Sequence, residues 1–203
     1  IYVFKDAFRD PDHSGFCLYH DEFPIIYVNN TMTKTRQIFT LFHELGHLVF
    51  QTSGIDSVDD SNIGRMSAPN RHIETICNRL AACLLVPESA FDRAFRGDVS
   101  GTEATRLAGL FKVSRELVFR KFLDRGLITV DAYAAAAREW AGQILRKSPR
   151  GNYYRSKITY LGADYINTAF SRYYQNRITE DQLADYIDTK PGNLATLEQQ
   201  VSG

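Results

Sequence analysis

Apolar residues come in short runs over the first 30 positions, and from there on they recur with helical spacing. The runs at 1–4, 15–20 and 23–30 are rich in β-branched and aromatic residues, which predicts three strands. The third, "FPIIYVNN", ends in a turn signal and has Pro24 near its start. Proline is tolerated mainly on edge strands, so we expect this strand to lie at the edge of a sheet.

Helical periodicity then predicts two helices separated by a polar loop. The first is expected to begin at a cap on Thr31 or Thr33 and to run through Phe50. Turn-forming and polar residues predict a loop from Gly54 to about residue 70. A second helix is expected from about Arg71 to Val86, where a proline ends it.

The pattern after residue 100 is helical throughout. Two helices in 102–128 flank "KVS", with Ser114 as the cap of the second, which is typical of a helix-turn-helix. Further helices are expected at 131–145, 156–176, 179–189 and 192–201, with a linker at 147–152.

Composition and charge narrow the choice of partner and compartment only in part. The 203 residues carry 24 Lys and Arg against 24 Asp and Glu, so the net charge indicates no particular partner. Three cysteines without a CxxC pair favour a reducing cytoplasm, and no apolar run is long enough to span a membrane. Because the chain starts at Ile1 rather than Met, we interpret it as a fragment or a processed chain that could lack an upstream domain.

The stretch "FTLFHELGHLVF" (39–50) places three ionisable residues within an apolar helix. His43 and His47 are four residues apart, so both imidazoles lie on one helix face and can bind the same zinc ion. Glu44 follows His43 and is rotated away from the face that binds zinc, but it remains beside the metal. There it can take a proton from a zinc-bound water. This HExxH pattern predicts a catalytic zinc site with Glu44 as general base.

A catalytic zinc site needs a third protein ligand. The preferred candidate is Glu74 in "HIETICNRLAACLLVP" (72–87), although it could instead be a first-turn acid that interacts with the helix dipole. Asn78, four residues later, could orient a ligating histidine through its other ring nitrogen. The remaining candidates for the third position are His72, Cys77, Asp56, Asp59 and Asp60.

The combination of "RQIFTLFHELGH" with the downstream E-x-x-x-N helix resembles the ImmA/IrrE family of zinc-dependent metallo-endopeptidases, most strongly over residues 15–90. The resemblance implies that His43, His47 and Glu74 bind zinc, that Glu44 is the base and that Asn78 supports a ligand. Cys77 and Leu80 depart from the alanine and phenylalanine common in the family. The resemblance further implies cleavage of an XRE-type helix-turn-helix repressor or an antitoxin, which would derepress stress, phage or mobile-element genes.

Pattern and resemblance together predict an α+β fold. A small mixed sheet packed on the HExxH helix, a zincin-like core, is followed by an all-helical C-terminal region with helix-turn-helix character. The expected units are a zinc metallopeptidase core at 1–97, a helix-turn-helix-like region at 98–150 and a C-terminal helical region at 151–203.

Other residues are candidates for the cleft. Arg36 lies two turns before His43, and His72, His20 and Tyr19 are further possible donors to an oxyanion. An extended substrate could add to the predicted edge strand near Tyr27.

The basic residues of the helical region suggest an alternative function. Residues 106–157 hold twelve basic residues against four acidic ones. A DNA-sensing or DNA-binding regulator, with a gated or silent peptidase, would use them for phosphate contacts. The same helices could instead serve packing or dimerisation, and a binding partner without turnover is a third hypothesis. The candidate phosphate contacts are Arg115, Arg120, Lys121 and Arg125.

Overall fold

A computed structural model describes residues 1–8, 12–57, 68–141 and 152–202. Within these ranges the chain has an α+β fold, as predicted, and no helix there is long and apolar enough to cross a membrane. The elements in chain order are β1 (Tyr2–Asp6), β2 (His13–Leu18), β3 (Ile25–Asn29), α1 (Lys34–Val49), β4 (Gly54–Ser57), α2 (Ala68–Leu85), α3 (Glu88–Ala94), α4 (Gly101–Phe111), α5 (Arg115–Asp124), α6 (Val130–Ala141), α7 (Tyr153–Leu161), α8 (Ala163–Tyr174), α9 (Glu180–Tyr186), a 3-10 turn (Pro191–Asn193) and α10 (Leu194–Ser202).

The described strands form one mixed sheet in the order β1-β3-β2-β4. Strand β1 runs parallel to β3, and β2 runs antiparallel to both β3 and β4. The prediction that the strand at 23–30 lies at the edge is therefore wrong, because β3 is paired on both sides. The edge positions belong to β1 and to β4, and β4 occupies residues that the sequence pattern assigned to a loop.

The position of Pro24 explains the error. It lies one residue before β3, where no ladder N–H is required of it, and its carbonyl accepts a hydrogen bond from the Tyr2 N–H at 2.9 Å. A proline just outside a strand is compatible with a central position as well as with an edge.

The two faces of the sheet pack against different helices. Ile26 and Val28 of β3 are buried in a core cluster with Leu48 of α1. Tyr27, between them, points to the other face because side chains alternate along a strand. Its ring stacks on Phe16 at 5.3 Å between centroids. On the edge strand, Phe4 contacts Tyr165 of α8.

Two further core clusters lie among the helices. One joins Val86 and Phe91 to buried residues of α4 and α5, and the other joins α8, α9 and α10. Ser114 caps α5 as predicted, since its side chain accepts from the Leu117 N–H. The single helix predicted at 156–176 is wrong, because Gly162 adopts φ +84° and separates α7 from α8. The domain boundaries remain predictions, and most of the predicted linker at 147–152 lies outside the described residues.

The packing of α1 on β2 leaves no room for a side chain at Gly15. A Cβ there would lie 2.4 Å from Thr40 Cγ2 and 2.8 Å from the Tyr27 carbonyl oxygen. We expect Gly15→Ala to lower the free energy of unfolding by about 1–3 kcal/mol, because the backbone carbonyl cannot move aside cheaply. Denaturant unfolding of the purified protein measures this change.

The matched control is Gly109→Ala in α4, where a Cβ would meet nothing within 4 Å. Alanine is the better helix former, so this variant should gain roughly 0.5–1 kcal/mol. Equal stability for both alanine variants would contradict the packing of α1 against β2 described above.

Candidate metal centre

Helix α1 carries the HExxH residues on its buried side. Of the two caps that the sequence left open, the structure has Thr33, whose side chain accepts from the Arg36 N–H. His43, Glu44 and His47 are 1%, 0% and 3% exposed, although ionisable side chains are rarely so fully buried. Burial of this kind requires partners close by.

Helix α2 supplies those partners because it approaches α1 closely. A Cβ at Gly46 would lie 3.0 Å from Cys77 Sγ and 3.3 Å from Cys77 Cα, so the helices meet where α1 has no side chain. This contact brings Glu74 and Asn78, which lie on either side of Cys77, towards the histidines of α1.

The ligand atoms of His43, His47 and Glu74 converge on one point. The two Nε2 atoms are 3.1 Å apart, and they lie 3.1 Å and 3.3 Å from the two Glu74 carboxylate oxygens. In a tetrahedral site with metal–ligand distances of about 2.0–2.2 Å, neighbouring ligand atoms are about 3.3–3.6 Å apart. In the described part of the chain, His43, His47 and Glu74 are the group whose ligand atoms could hold a metal ion. The distances between these atoms are close to those of a tetrahedral site.

The other ring nitrogen of each histidine has its own partner. His43 Nδ1 is 2.9 Å from Asn78 Oδ1, and His47 Nδ1 is 3.2 Å from Thr52 Oγ1. Partners on both Nδ1 atoms favour the tautomer whose Nε2 lone pair faces the shared point. The role predicted for Asn78 agrees with this geometry, and Thr52 was not predicted.

The electrostatic environment favours a charged Glu74. Burial raises the pKa of the Glu74 carboxyl, but the adjacent imidazoles of His43 and His47, in their protonated form, outweigh that effect and bring the pKa to about 2. The carboxylate is therefore available as a ligand at neutral pH.

The two buried cysteines remain thiols. Burial, with the charges of Glu74 and Glu44 as smaller contributions, raises the pKa of Cys77 to about 12. Burial and then the adjacent Glu44 also raise the pKa of Cys17. Cys77 packs against Gly46 and is not part of the convergent group, so the structure favours Glu74 over Cys77 as the third ligand.

The other candidates for the third ligand are not in the group. His72 is exposed on α2 and is not among the residues whose ligand atoms converge. Asp56 lies on β4 with only its backbone position described, and Asp59 and Asp60 lie outside the described residues.

Of the predicted cleft residues, Tyr27 is misplaced, since it lies on the face of the sheet opposite α1. Arg36 lies at the junction of α1 and β2, where Nη2 donates to Ser14 Oγ at 3.1 Å. His20 Nδ1 accepts from the backbone N–H groups of Glu22 and Phe23, and the Tyr19 hydroxyl donates to Asp21. The donor to an oxyanion therefore stays a prediction.

The basic residues proposed to contact nucleic acid have internal partners. Lys121 is buried at 6% exposure and forms an ion pair with Glu88, which also pairs with Arg125. Arg125 also pairs with Asp92 at 2.6 Å and lies over the Phe91 ring. The predicted phosphate contact is disfavoured for Lys121, because its side chain is largely buried and its ammonium group pairs with Glu88.

The remaining two basic candidates are also in contact with side chains. Arg120 pairs with Asp124 at 3.1 Å, and Arg115 lies 4.8 Å from the centroid of the Trp140 ring. Their role in nucleic-acid binding stays a prediction.

Two contacts at the metal centre escaped the sequence analysis. Thr52 and Gly54 follow α1, and Gly54 is where the sequence predicted a loop to begin. A Cβ on Gly54 would lie 2.9 Å from the His47 ring. Neither residue belongs to a spacing pattern, so only the path of the chain after α1 places them beside His47.

Comparison with known proteins agrees with this geometry. Residues 1–122 match a family model described as IrrE N-terminal-like domain, peptidase family M78. The chain is also similar to the radiation response metalloprotease IrrE of Deinococcus radiodurans, with 31% identity over 86 residues. That alignment covers 41% of this chain and 23% of the relative, so the chain spans less than a quarter of the relative's length.

Proposed function

The chain belongs to the IrrE N-terminal-like family of metallopeptidases, and from this premise we propose that it is a zinc-dependent endopeptidase acting on a partner protein. The observation that carries the proposal is the convergence of His43, His47 and Glu74, with ligand atoms 3.1–3.3 Å apart. Two imidazoles and one carboxylate are a ligand set typical of catalytic zinc, which keeps a fourth position open.

The roles of the residues follow from their chemistry. A zinc ion bound by this group would act as a Lewis acid and would lower the pKa of a water in the open position. Glu44 follows the first ligand on α1 and is fully buried, and we assign its carboxylate the role of accepting a proton from such a water. Asn78 holds His43 through Nδ1 and keeps its Nε2 directed at the shared point.

The substrate class rests on the family and not on the geometry. We propose cleavage of an XRE-type helix-turn-helix repressor or an antitoxin, which would derepress stress, phage or mobile-element genes. The printed name of the Deinococcus radiodurans relative, a radiation response metalloprotease, supports a stress-related role. A cytoplasmic location and nucleic-acid binding remain predictions.

We place the substrate on β4 and no longer on the strand at 23–30. Strand β4 lies at the edge of the sheet as far as the chain is described, and its Gly54 touches the ring of His47. An extended peptide can add to an edge strand through backbone hydrogen bonds. A substrate paired with β4 would pass close to the metal centre, which β3 does not allow because both its edges are occupied.

The zinc site predicts about one zinc ion per chain, measured by elemental analysis after reconstitution and desalting. His43→Ala and Glu74→Ala should each lose the metal, since two ligands do not hold a catalytic zinc ion. Cys77→Ala, in the same helix as Glu74, is the matched control and should retain it. Zinc loss in Cys77→Ala but not in Glu74→Ala would show that the third ligand is misassigned.

Glu44→Gln should keep zinc and lose cleavage. The amide can still hold a water but cannot accept its proton, so we expect kcat to fall by about a hundredfold or more. The assay incubates the protein with a purified XRE-type helix-turn-helix repressor and follows fragments by mass spectrometry. Near wild-type cleavage by the zinc-loaded variant would refute the role of Glu44, and no cleavage by wild type would refute this substrate.

Proline substitutions in β4 test the docking edge. Successive residues of a strand direct their N–H groups to opposite sides, so one of Ile55→Pro and Asp56→Pro should disrupt pairing with β2 and the other should only remove an outward donor. The variant that loses only an outward N–H should have the melting temperature of wild type, retain zinc and show a raised KM. An unchanged KM in a folded, zinc-loaded variant would exclude docking on β4.

A further inference from the structure

The two histidines of the metal centre are held in parallel ways by different parts of the chain. Asn78, the partner of His43, belongs to the E-x-x-x-N helix and was expected from the sequence. Thr52, the partner of His47, lies in the turn between α1 and β4. A hydrogen bond to the ring nitrogen that does not bind the metal commonly tunes metal affinity. The contact between Thr52 and His47 can therefore affect the metal centre.

The two contacts of the Thr52 hydroxyl indicate which atom is the donor in its hydrogen bond with His47. The Thr52 hydroxyl donates its single proton to the His47 backbone carbonyl, with an oxygen–oxygen distance of 3.1 Å. With its proton used there, the hydroxyl oxygen accepts at its other contact, and we assign the shared proton to His47 Nδ1, which donates across 3.2 Å. With the proton on Nδ1, a neutral His47 has its lone pair on Nε2, which faces His43 and Glu74.

The turn places Thr52 accurately because the backbone closes on the end of α1. The Thr52 N–H donates to the same His47 carbonyl at 2.9 Å, and Gln51 adopts φ +56° to reverse the chain. Two residues later, Gly54 packs on the His47 ring, where a Cβ would approach to 2.9 Å. The imidazole is therefore held at Nδ1 by Thr52 and on its face by Gly54.

We infer that Thr52 is a positioning residue that orients His47 and selects the tautomer competent to bind the metal. It acts through His47 and touches neither metal nor substrate. The inference rests on the proposed zinc site and adds a residue outside the HExxH and E-x-x-x-N patterns. It also means that the turn leading into the proposed substrate strand is the one that holds a metal ligand.

The test compares zinc dissociation constants by competition with a chromophoric chelator. Thr52→Val keeps the shape and removes the hydroxyl, so its zinc affinity should fall roughly 10–100-fold. Thr52→Ser restores the hydroxyl and should bind within about threefold of wild type. The control Thr168→Val removes a similar bond, from a threonine hydroxyl to the Asp164 carbonyl four residues earlier, and should leave affinity unchanged.

A second readout follows the imidazole N–H protons of the zinc-loaded wild type by NMR. The His47 Nδ1 proton should exchange slowly with water, whereas that of the exposed His72 should exchange fast. This measurement uses no variant and so does not depend on whether Thr52→Val folds.

The outcomes separate the inference from the zinc site itself. Wild-type affinity in a folded Thr52→Val, or a His47 proton that exchanges as fast as that of His72, would overturn the role of Thr52 while the site stands. Failure of wild type to bind zinc would instead overturn the proposed function.

Discussion

The structure depends on the contact between α1 and α2, in which two buried imidazoles and a partly buried carboxylate lie side by side. Burying ionisable groups is costly unless they are paired or coordinate a metal. Here the pairing is mutual, with each Nε2 within 3.3 Å of a Glu74 oxygen. A cation at their meeting point would compensate the carboxylate and leave both imidazoles neutral, which is the form that binds metals.

Close approach of the helices makes this contact possible. Gly46 lies between the two histidines on α1, and Cys77 lies between Glu74 and Asn78 on α2. Because the smallest residue of one helix faces a small residue of the other, the longer side chains around them reach the same point. The sheet supports α1 from its other side through Ile26 and Val28. The site is thus built on packed elements, which suits a geometry that must be held within fractions of an ångström.

Several basic residues of the helical region form ion pairs within the chain, which composition alone does not show. Glu88 and Asp92 of α3 pair with Lys121 and Arg125 of α5, so part of the local basic excess is neutralised by acids of the same chain. Phe91 lies between these helices beneath the Arg125 guanidinium. A count of basic residues along the chain cannot anticipate this, because the acids that pair with them lie about 30 residues earlier in the sequence.

The local features of the site could be predicted from sequence. The capped α1, the i,i+4 spacing of His43 and His47 and the α2 helix bearing Glu74 and Asn78 all follow from helical periodicity, because these relations lie within single helices. The presence of the first three strands and the cap at Ser114 follow from equally local signals.

Tertiary structure decided what depends on pairing between distant segments. Only the fold placed β1 beside β3, which made β3 central and left β1 and β4 as the outer strands of the sheet as far as the chain is described. The pairing of the strands placed Tyr27 on the face of the sheet opposite α1. The path of the turn after α1 placed Thr52 and Gly54 against His47. Such contacts leave no periodic trace in the sequence, because strand order and the direction of a turn are set by the packing of the whole core.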